Sequence, residues 1–375
     1  MKIGKPELTE NENLITWQVT VDYSHDHRVL WFTVPLAYRE MVTTLSDSAL
    51  TALIIPAMAA NDNIEIFGSI SERVYRSIAG PVQHVLSLIL PVLKPVKVKA
   101  EKLVVKPQTG SGVATGFSGG VDAYSVLADH HYDKSRMDLR LTHLLFHNVG
   151  SHGFDSKGRQ LFRKRYDHLK PFADRTGLPF IPVDSNLDEF YPGFNFLQTH
   201  TLRNMAAALL LQQGIGHYIY ASSYTYPEIV NNRKNKLCLN DSLLLPMISS
   251  SGFEMISSGA ELSRLQKIIM ISEIEDSYDA LNVCTDSVTN CSKCIKCLRT
   301  LFALELTGNL ERFSASFDLD VYRTYKFRYM PELLSGNRTA AAELRQIMRE
   351  KGIRIPLSAY PKALVRILRS RGNKV

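Results

Sequence analysis

Four of the five cysteines, Cys284, Cys291, Cys294 and Cys297, are spaced C-x6-C-x2-C-x2-C. Two overlapping C-x2-C turns with a further thiol upstream can set four sulfurs around one tetrahedral ion, and the spacing predicts a structural Zn2+ site with Zn–S distances of about 2.3 Å. An iron–sulfur cluster would use the same thiolates, but the ferredoxin run continues as C-x3-C-P, whereas here Leu298-Arg299-Thr300 leads into an apolar helix. Disulfides fit least. No signal-peptide pattern opens the chain, so a cytoplasmic, reducing compartment is expected. Cys238, in Lys236-Leu237-Cys238-Leu239, reads as a small buried hydrophobe.

A second constellation lies in Gly116-Phe117-Ser118-Gly119-Gly120-Val121-Asp122-Ala123, where an apolar strand, 113–117, gives way to a helix. Small residues at Ser118, Gly119 and Gly120 let the backbone turn tightly, so that N–H groups and the positive end of a helix dipole converge on one anion, naturally a phosphate. No Gly-Lys-Ser/Thr follows, which excludes the Walker loop, and the G-x-G-x-x-G dinucleotide spacing is absent. An ordinary strand-to-helix turn is the alternative.

Ser-Gly-Gly-x-Asp resembles the loop that opens the PP-loop ATP pyrophosphatases, and with the four-cysteine knot downstream the chain resembles the 7-cyano-7-deazaguanine synthases of the queuosine pathway and their QueC-like relatives. Other segments carry the same likeness: His200-Thr201-Leu202-Arg203-Asn204 before an alanine-rich helix, the strand-like Tyr218-Ile219-Tyr220-Ala221-Ser222, Tyr226-Pro227-Glu228, and Lys267 on the helix after Gly259. The likeness spans residues 113 to about 305, by motif order. It departs at Ala123, where the family has serine, and at 228–233, Glu-Ile-Val-Asn-Asn-Arg, which replaces the family's Asp-Cys-Arg run. Some QueC-like proteins belong to antiphage defence cassettes.

The resemblance implies that ATP adenylates 7-carboxy-7-deazaguanine and that an amine, ammonia or a protein amine, then captures the mixed anhydride. In the family the chemistry proceeds to a nitrile. ATP would lie on Phe117, Ser118, Gly119, Gly120, Asp122 and Ala123, with His147 and Asn148 at the nucleotide rim. Arg203 would stabilise the leaving phosphates as a guanidinium fork and Lys267 would add a point charge. Asp122 would hold the loop or help place Mg2+. The plain alternative for Arg203 is a surface residue at a helix start, and for Lys267 a solvated helix face. Glu228 could accept from adjacent N–H donors of a guanine-like ring, with Tyr224 or Tyr226 stacked on it and Arg233 nearby, or it could be a helix N-terminal acid between core tyrosines. His143 and His152 read as strand and loop histidines. Two other functions stay open: a PP-loop enzyme acting on tRNA, and a non-catalytic nucleotide-binding subunit.

These groups need a scaffold. Apolar strand patterns at 141–149, 180–183 and 217–221 alternate with helical ones at 154–176 and 199–213, which predicts an α/β fold: a parallel sheet covered on both faces, of PP-loop, adenine nucleotide alpha hydrolase-like type. Ligands bind beyond the carboxyl ends of such strands, so residues 118–122, His147-Asn148, Asp184-Ser185 and 222–226 should share a rim. Before it, residues 1–110 form a smaller α+β extension, a candidate surface for a protein acceptor or operon partner. Ile15, Trp17, Val19 and Val21 alternate in a strand, 29–34 forms a second, and Ser24-His25-Asp26-His27 turns between them. Residues 49–60 read as a helix, Ile70, Val74 and Ile78 as one helical face, Val82–Leu93 as a buried helix and Val96, Val98 and Ala100 as a strand; 106–112 is the linker candidate. The expected division is 1–110, 111–283 and 284–375, the last holding the zinc knot and a helical tail.

With 45% hydrophobic and 22% charged residues the composition is globular, and no apolar run is long enough to span a membrane. Residues 345–375 carry nine Lys and Arg against Glu350 alone, in a chain of net charge +7. Nucleic acid is one partner for such a tail, but Leu357, Tyr360, Leu364, Ile367 and Leu368 predict a docked helix with a wet basic face, and no aromatic stacking surface interleaves the charges.

Overall fold

The structure, a computed structural model, describes residues 1–23, 26–135, 138–153, 155–230, 237–336 and 339–372. The chain forms two compact units: Met1–Phe117, Ser135–Ser223 and Asn231–Ser258 make the first, and Ser118–Lys134, Tyr224–Val230 and Gly259–Val375 the second.

Among the described residues the first unit holds eleven strands: β1 (Lys2–Ile3), β2 (Glu7–Glu10), β3 (Leu14–Tyr23), β4 (Asp26–Pro35), β5 (Ile64–Ser71), β6 (Val98–Val104), β7 (Gly112–Gly116), β8 (His143–Asn148), β9 (Phe180–Ser185), β10 (Ile215–Ala221) and β11 (Glu254–Ser258). They form one sheet in the order β11-β10-β7-β8-β9-β4-β3-β1-β5-β6, with β2 beside β3. The run from β11 to β9 is parallel. The middle of β8 is continuously apolar because both faces are covered: Leu144, Leu145 and Phe146 are all buried. Phe146 stacks on Phe162 of the helix Ser156–Thr176. The next residue, His147, meets Asn204 of the helix Phe196–Leu210, so the two helices cover opposite faces.

The parallel run joins the N-terminal strands directly, since β4 pairs antiparallel with β9 through Phe32 and Ser185 and through Thr33 and Asp184. The period-two pattern of β3 places Ile15, Trp17, Val19 and Val21 in the core, as expected of a half-buried strand. Residues 24 and 25 of the expected turn, and Phe154 at the expected helix start, lie outside the described residues. The expected linker is pinned at its end, with Gly110 N–H on the Gln212 carbonyl and Gly112 N–H on that of Gly214.

Two expectations are corrected. Ile70 does not share a helical face with Val74 and Ile78. It belongs to β5, where Ile64, Ile66 and Ile70 are buried with a period of two, and only Val74 lies in the helix Glu72–Ser77. The four-residue spacing was a coincidence across a strand-to-helix junction. The tail does form a helix, Ala359–Gly372, but Leu357, Tyr360, Leu364 and Leu368 are exposed, Leu357 by 86%. The buried side chains are Ala359 and Ala363, whose small size permits close packing against the helix Met330–Ser335. Arg366 pairs with Glu332 of that helix.

The second unit is helical. Val121–Leu127 packs on Arg264–Ile271, which packs in turn on Ile295–Thr307 and Thr339–Glu350. Val126, Leu127, Ile268, Ile271, Leu301 and Leu304 are buried. No helix among the described residues is long and apolar enough to cross a membrane.

Candidate metal centre and anion site

Cys284, Cys291, Cys294 and Cys297 come together as the spacing predicts. Their sulfurs all lie within 4.8 Å of one another, positioned to hold a metal ion. The local fold explains how. Ser292 takes a left-handed conformation, φ 55°, which folds the chain back between Cys291 and Cys294. Cys294 then caps the helix Ile295–Thr307, and Cys297 sits in its first turn. The Cys294 N–H points at Cys291 Sγ (3.3 Å) and the Cys297 N–H at Cys294 Sγ (3.5 Å). Asn290 braces the loop, accepting from Val283 N–H at 2.9 Å and donating to the Leu281 and Ser316 carbonyls. Burial works to raise the Cys284 thiol, but hydrogen bonds from Ser287 and the backbone outweigh it and bring it down to about 6.

The glycine loop leads from the strand Gly112–Gly116 into a helix, as expected. Gly119 has φ +72°, a conformation that disfavours any side chain, and its carbonyl accepts from Asn282 N–H at 2.7 Å. Gly120 is the N-cap of the helix Val121–Leu127. Asp122 receives Arg264 Nη2 at 2.7 Å and Lys267 Nζ at 3.3 Å. Burial acts to raise its carboxyl, yet the charges of Arg264 and Lys267 hold it below the usual range, and Arg299 adds to them. Burial lowers the ammonium of Lys267, whose side chain is only 3% exposed. Lys296 is lowered too, by burial and then by the charges of Arg299 and Arg264. Two cations thus pair with the carboxylate, and two more, Arg299 and Lys296, act on the cluster by charge. Arg264 and Lys267 stand in the first turn of their helix, where the dipole disfavours positive charge. Gly259, φ +81°, makes room for the lysine: a Cβ there would lie 3.1 Å from Nζ.

Of this cluster the sequence reading names Asp122 and Lys267, which the structure brings together, and does not single out Arg264, Lys296 or Arg299. Arg264 had a local signal, its i,i+3 spacing to Lys267 behind the Ser263–Gln266 capping box. Arg299 stands in the sequence only as part of Leu298-Arg299-Thr300, which departs from the ferredoxin pattern. Ala123 is buried, and the nearby hydroxyl of Ser125 is turned onto the Asp122 carbonyl at 2.8 Å.

In the first unit, His147 and Asn148 end β8 and Asp184 and Ser185 end β9. Asn148 Nδ2 donates to Asp184 Oδ1 (2.6 Å) and Ser185 Oγ to the Asn148 carbonyl (2.8 Å), which ties the two strand ends. Arg203 is neither at a helix start nor on the surface. The helix begins at Phe196, capped by Asn195, and Arg203 is fully buried in its interior. Its Nη1 donates to Asp188 Oδ1 and to the Val149 carbonyl, and its guanidinium lies over the Tyr191 ring at 3.8 Å. Nε and Nη2 are buried without a hydrogen-bond partner. Gly150, φ +110°, is required beside it, since a Cβ would lie 2.3 Å from Nη1.

Glu228 is engaged by backbone: Oε2 accepts from Thr225 N–H at 3.0 Å and Oε1 from Thr339 N–H at 3.3 Å, as a helix N-terminal acid would. Tyr226 is exposed and Tyr224 half-buried, so neither is a core tyrosine. Arg233 lies outside the described residues. Cys238 is buried, as expected of a small hydrophobe. No family model, curated protein or solved structure matches this chain.

Proposed function

We propose that the protein is an ATP-dependent ligase of QueC-like type, in which a 7-deazaguanine carboxylate attacks the α-phosphorus of ATP and pyrophosphate leaves. An amine, ammonia or a protein amine, then attacks the acyl carbon and AMP leaves. The observation that carries this reading is the pairing of Asp122 with Arg264 and Lys267, with Arg299 and Lys296 near enough to act on the same cluster by charge, directly after a turn whose Gly119 takes a left-handed conformation, φ +72°. A surplus of fixed cations in a partly buried site suits a polyanion whose charge shifts during reaction. Asp122 keeps two of those cations in place. Both its oxygens are engaged, so it is not assigned to Mg2+, which the triphosphate would bring with it. Ala123 leaves the phosphate contacts to backbone N–H groups and cations.

The metal in this reading is zinc with a structural role. One tetrahedral ion with four thiolates at about 2.3 Å sets neighbouring sulfurs about 3.8 Å apart, compatible with the observed clustering, whereas a multi-iron cluster distributes the four thiolates over two or four irons and spreads them further. The deazaguanine identity of the substrate rests on the resemblance of the motifs.

Pyrophosphate release tests the reading. We expect release from ATP when 7-carboxy-7-deazaguanine and ammonia, or a protein amine, are supplied. Release stimulated by tRNA alone would replace it with a tRNA-modifying enzyme, and ATP binding without release with a nucleotide-binding subunit.

A further inference from the structure

The face of the sheet that bears His147 carries a chain of neutral polar groups whose proton positions follow by elimination. Asn204 Nδ2 donates to the His200 carbonyl at 2.9 Å. A carbonyl can only accept, so the amide NH2 points there and Oδ1 points at His147 Nδ1, 3.1 Å away. Oδ1 also can only accept. His147 Nδ1 therefore carries the proton. Burial pushes the ring's pKa down to about 4, against the hydrogen bond that Nδ1 donates to Asn204 Oδ1, so at neutral pH it holds one proton and Nε2 is a bare lone pair. That atom is buried and has no hydrogen-bond partner. Folded proteins seldom leave a buried acceptor unpaired, and the imidazole that carries this one lies alongside the Tyr218 ring, with centroids 6.1 Å apart and planes at 27°. The same chain continues to His200, whose Nδ1 meets the Tyr220 hydroxyl at 3.0 Å.

We propose that His147 Nε2 accepts a hydrogen bond from the exocyclic amino group of a purine-like ring and thereby rejects rings that carry oxygen or hydrogen at that position. A carbonyl there would set acceptor against acceptor, and a hydrogen would leave Nε2 unpaired. The identity of the ring rests on the function proposed above, which offers two: the adenine of ATP, with its 6-amino group, and the 7-deazaguanine, with its 2-amino group. Their shared chemistry is one N–H donor at the edge of a planar ring.

Two binding arms separate the sources. In one, ATP is compared with inosine triphosphate; in the other, 7-carboxy-7-deazaguanine is compared with its counterpart lacking the 2-amino group. The native protein should prefer the amino-bearing ring by about 10- to 100-fold in one arm. His147→Ala should abolish that preference, and His147→Gln, whose amide oxygen can accept near the Nε2 position, should restore part of it. Equal affinities in both arms, or an unchanged preference in the alanine variant, would overturn the proposal. If ATP fails to bind, the ATP-dependent reading falls while the deazaguanine arm still decides the amino contact; binding of neither ring overturns both. Should the variants not fold, nitrogen-15 spectra of the native protein decide: the Nδ1–H tautomer is expected at His147, and the Nε2–H tautomer would contradict the proposal.

Discussion

In the second unit one carboxylate, Asp122, pairs with two cations and feels the charge of a third, Arg299, whereas in the first the Arg203–Asp188 pair is bordered by neutral groups: Tyr191, Phe196 and His200. Net positive charge around a glycine turn is stabilised by whatever anion enters it. Neutral buried groups attract no charge, but each discriminates by whether a ligand donates or accepts. Affinity for a polyanion and selectivity for a ring are thus assigned to different chemistry in the two units, and substitutions should separate them.

The largest effect is expected at the metal centre. Cys294 is both a thiolate and the cap of the helix that carries Cys297, Lys296 and Arg299. Cys294→Ser should reduce the metal from about one zinc per chain to nearly none and lower the thermal midpoint, because binding of a structural ion is folding free energy. Iron with labile sulfide in the native protein, seen by elemental analysis, would contradict zinc. Next comes Arg203→Ala. It strips Asp188 of its partner and removes a guanidinium from between Tyr191 and Phe196, at a cost of about 3 kcal/mol in denaturant unfolding. A variant as stable as the parent would mean that the buried guanidinium adds nothing to the fold.

Lys267→Met should leave the fold intact and reduce pyrophosphate release by about 10²- to 10³-fold, the usual consequence of removing one preorganised charge. Unchanged turnover would place the phosphates elsewhere. The smallest effect is acid sensitivity in the first unit. His147 and His200 each move from 6.5 to about 4, by burial first. Between those values the unfolded chain binds a proton at each ring and the folded chain does not, so stability falls as pH falls, by about 1.4 kcal/mol per pH unit per ring. His200→Gln should flatten the dependence of unfolding free energy between pH 6.5 and 4.5. An unaltered slope would show that His200 is not held neutral.

The sequence made plain what depends on local spacing. Four cysteines within one turn-and-helix segment had to converge, and the period-two strands 15–21 and the apolar run at 144–146 stood out because one or both faces are buried. What depends on tertiary contact was illegible. Arg264, Lys296 and Arg299 look like ordinary surface cations until their helices pack beside Asp122. Arg203 was legible as charge but not as burial, because its two aromatic neighbours and Asp188 come from other turns and loops. The tail misled for the opposite reason. Its leucine stripe has the right period for a core face, yet the two alanines make the closer contact.

The exchange of labelled pyrophosphate into ATP, run without any amine, tests the central claim most directly. The account predicts exchange that requires 7-carboxy-7-deazaguanine and is lost in Lys267→Met, because adenylation is reversible until an amine attacks. ATP bound without exchange, or cleaved to ADP and phosphate, would contradict it.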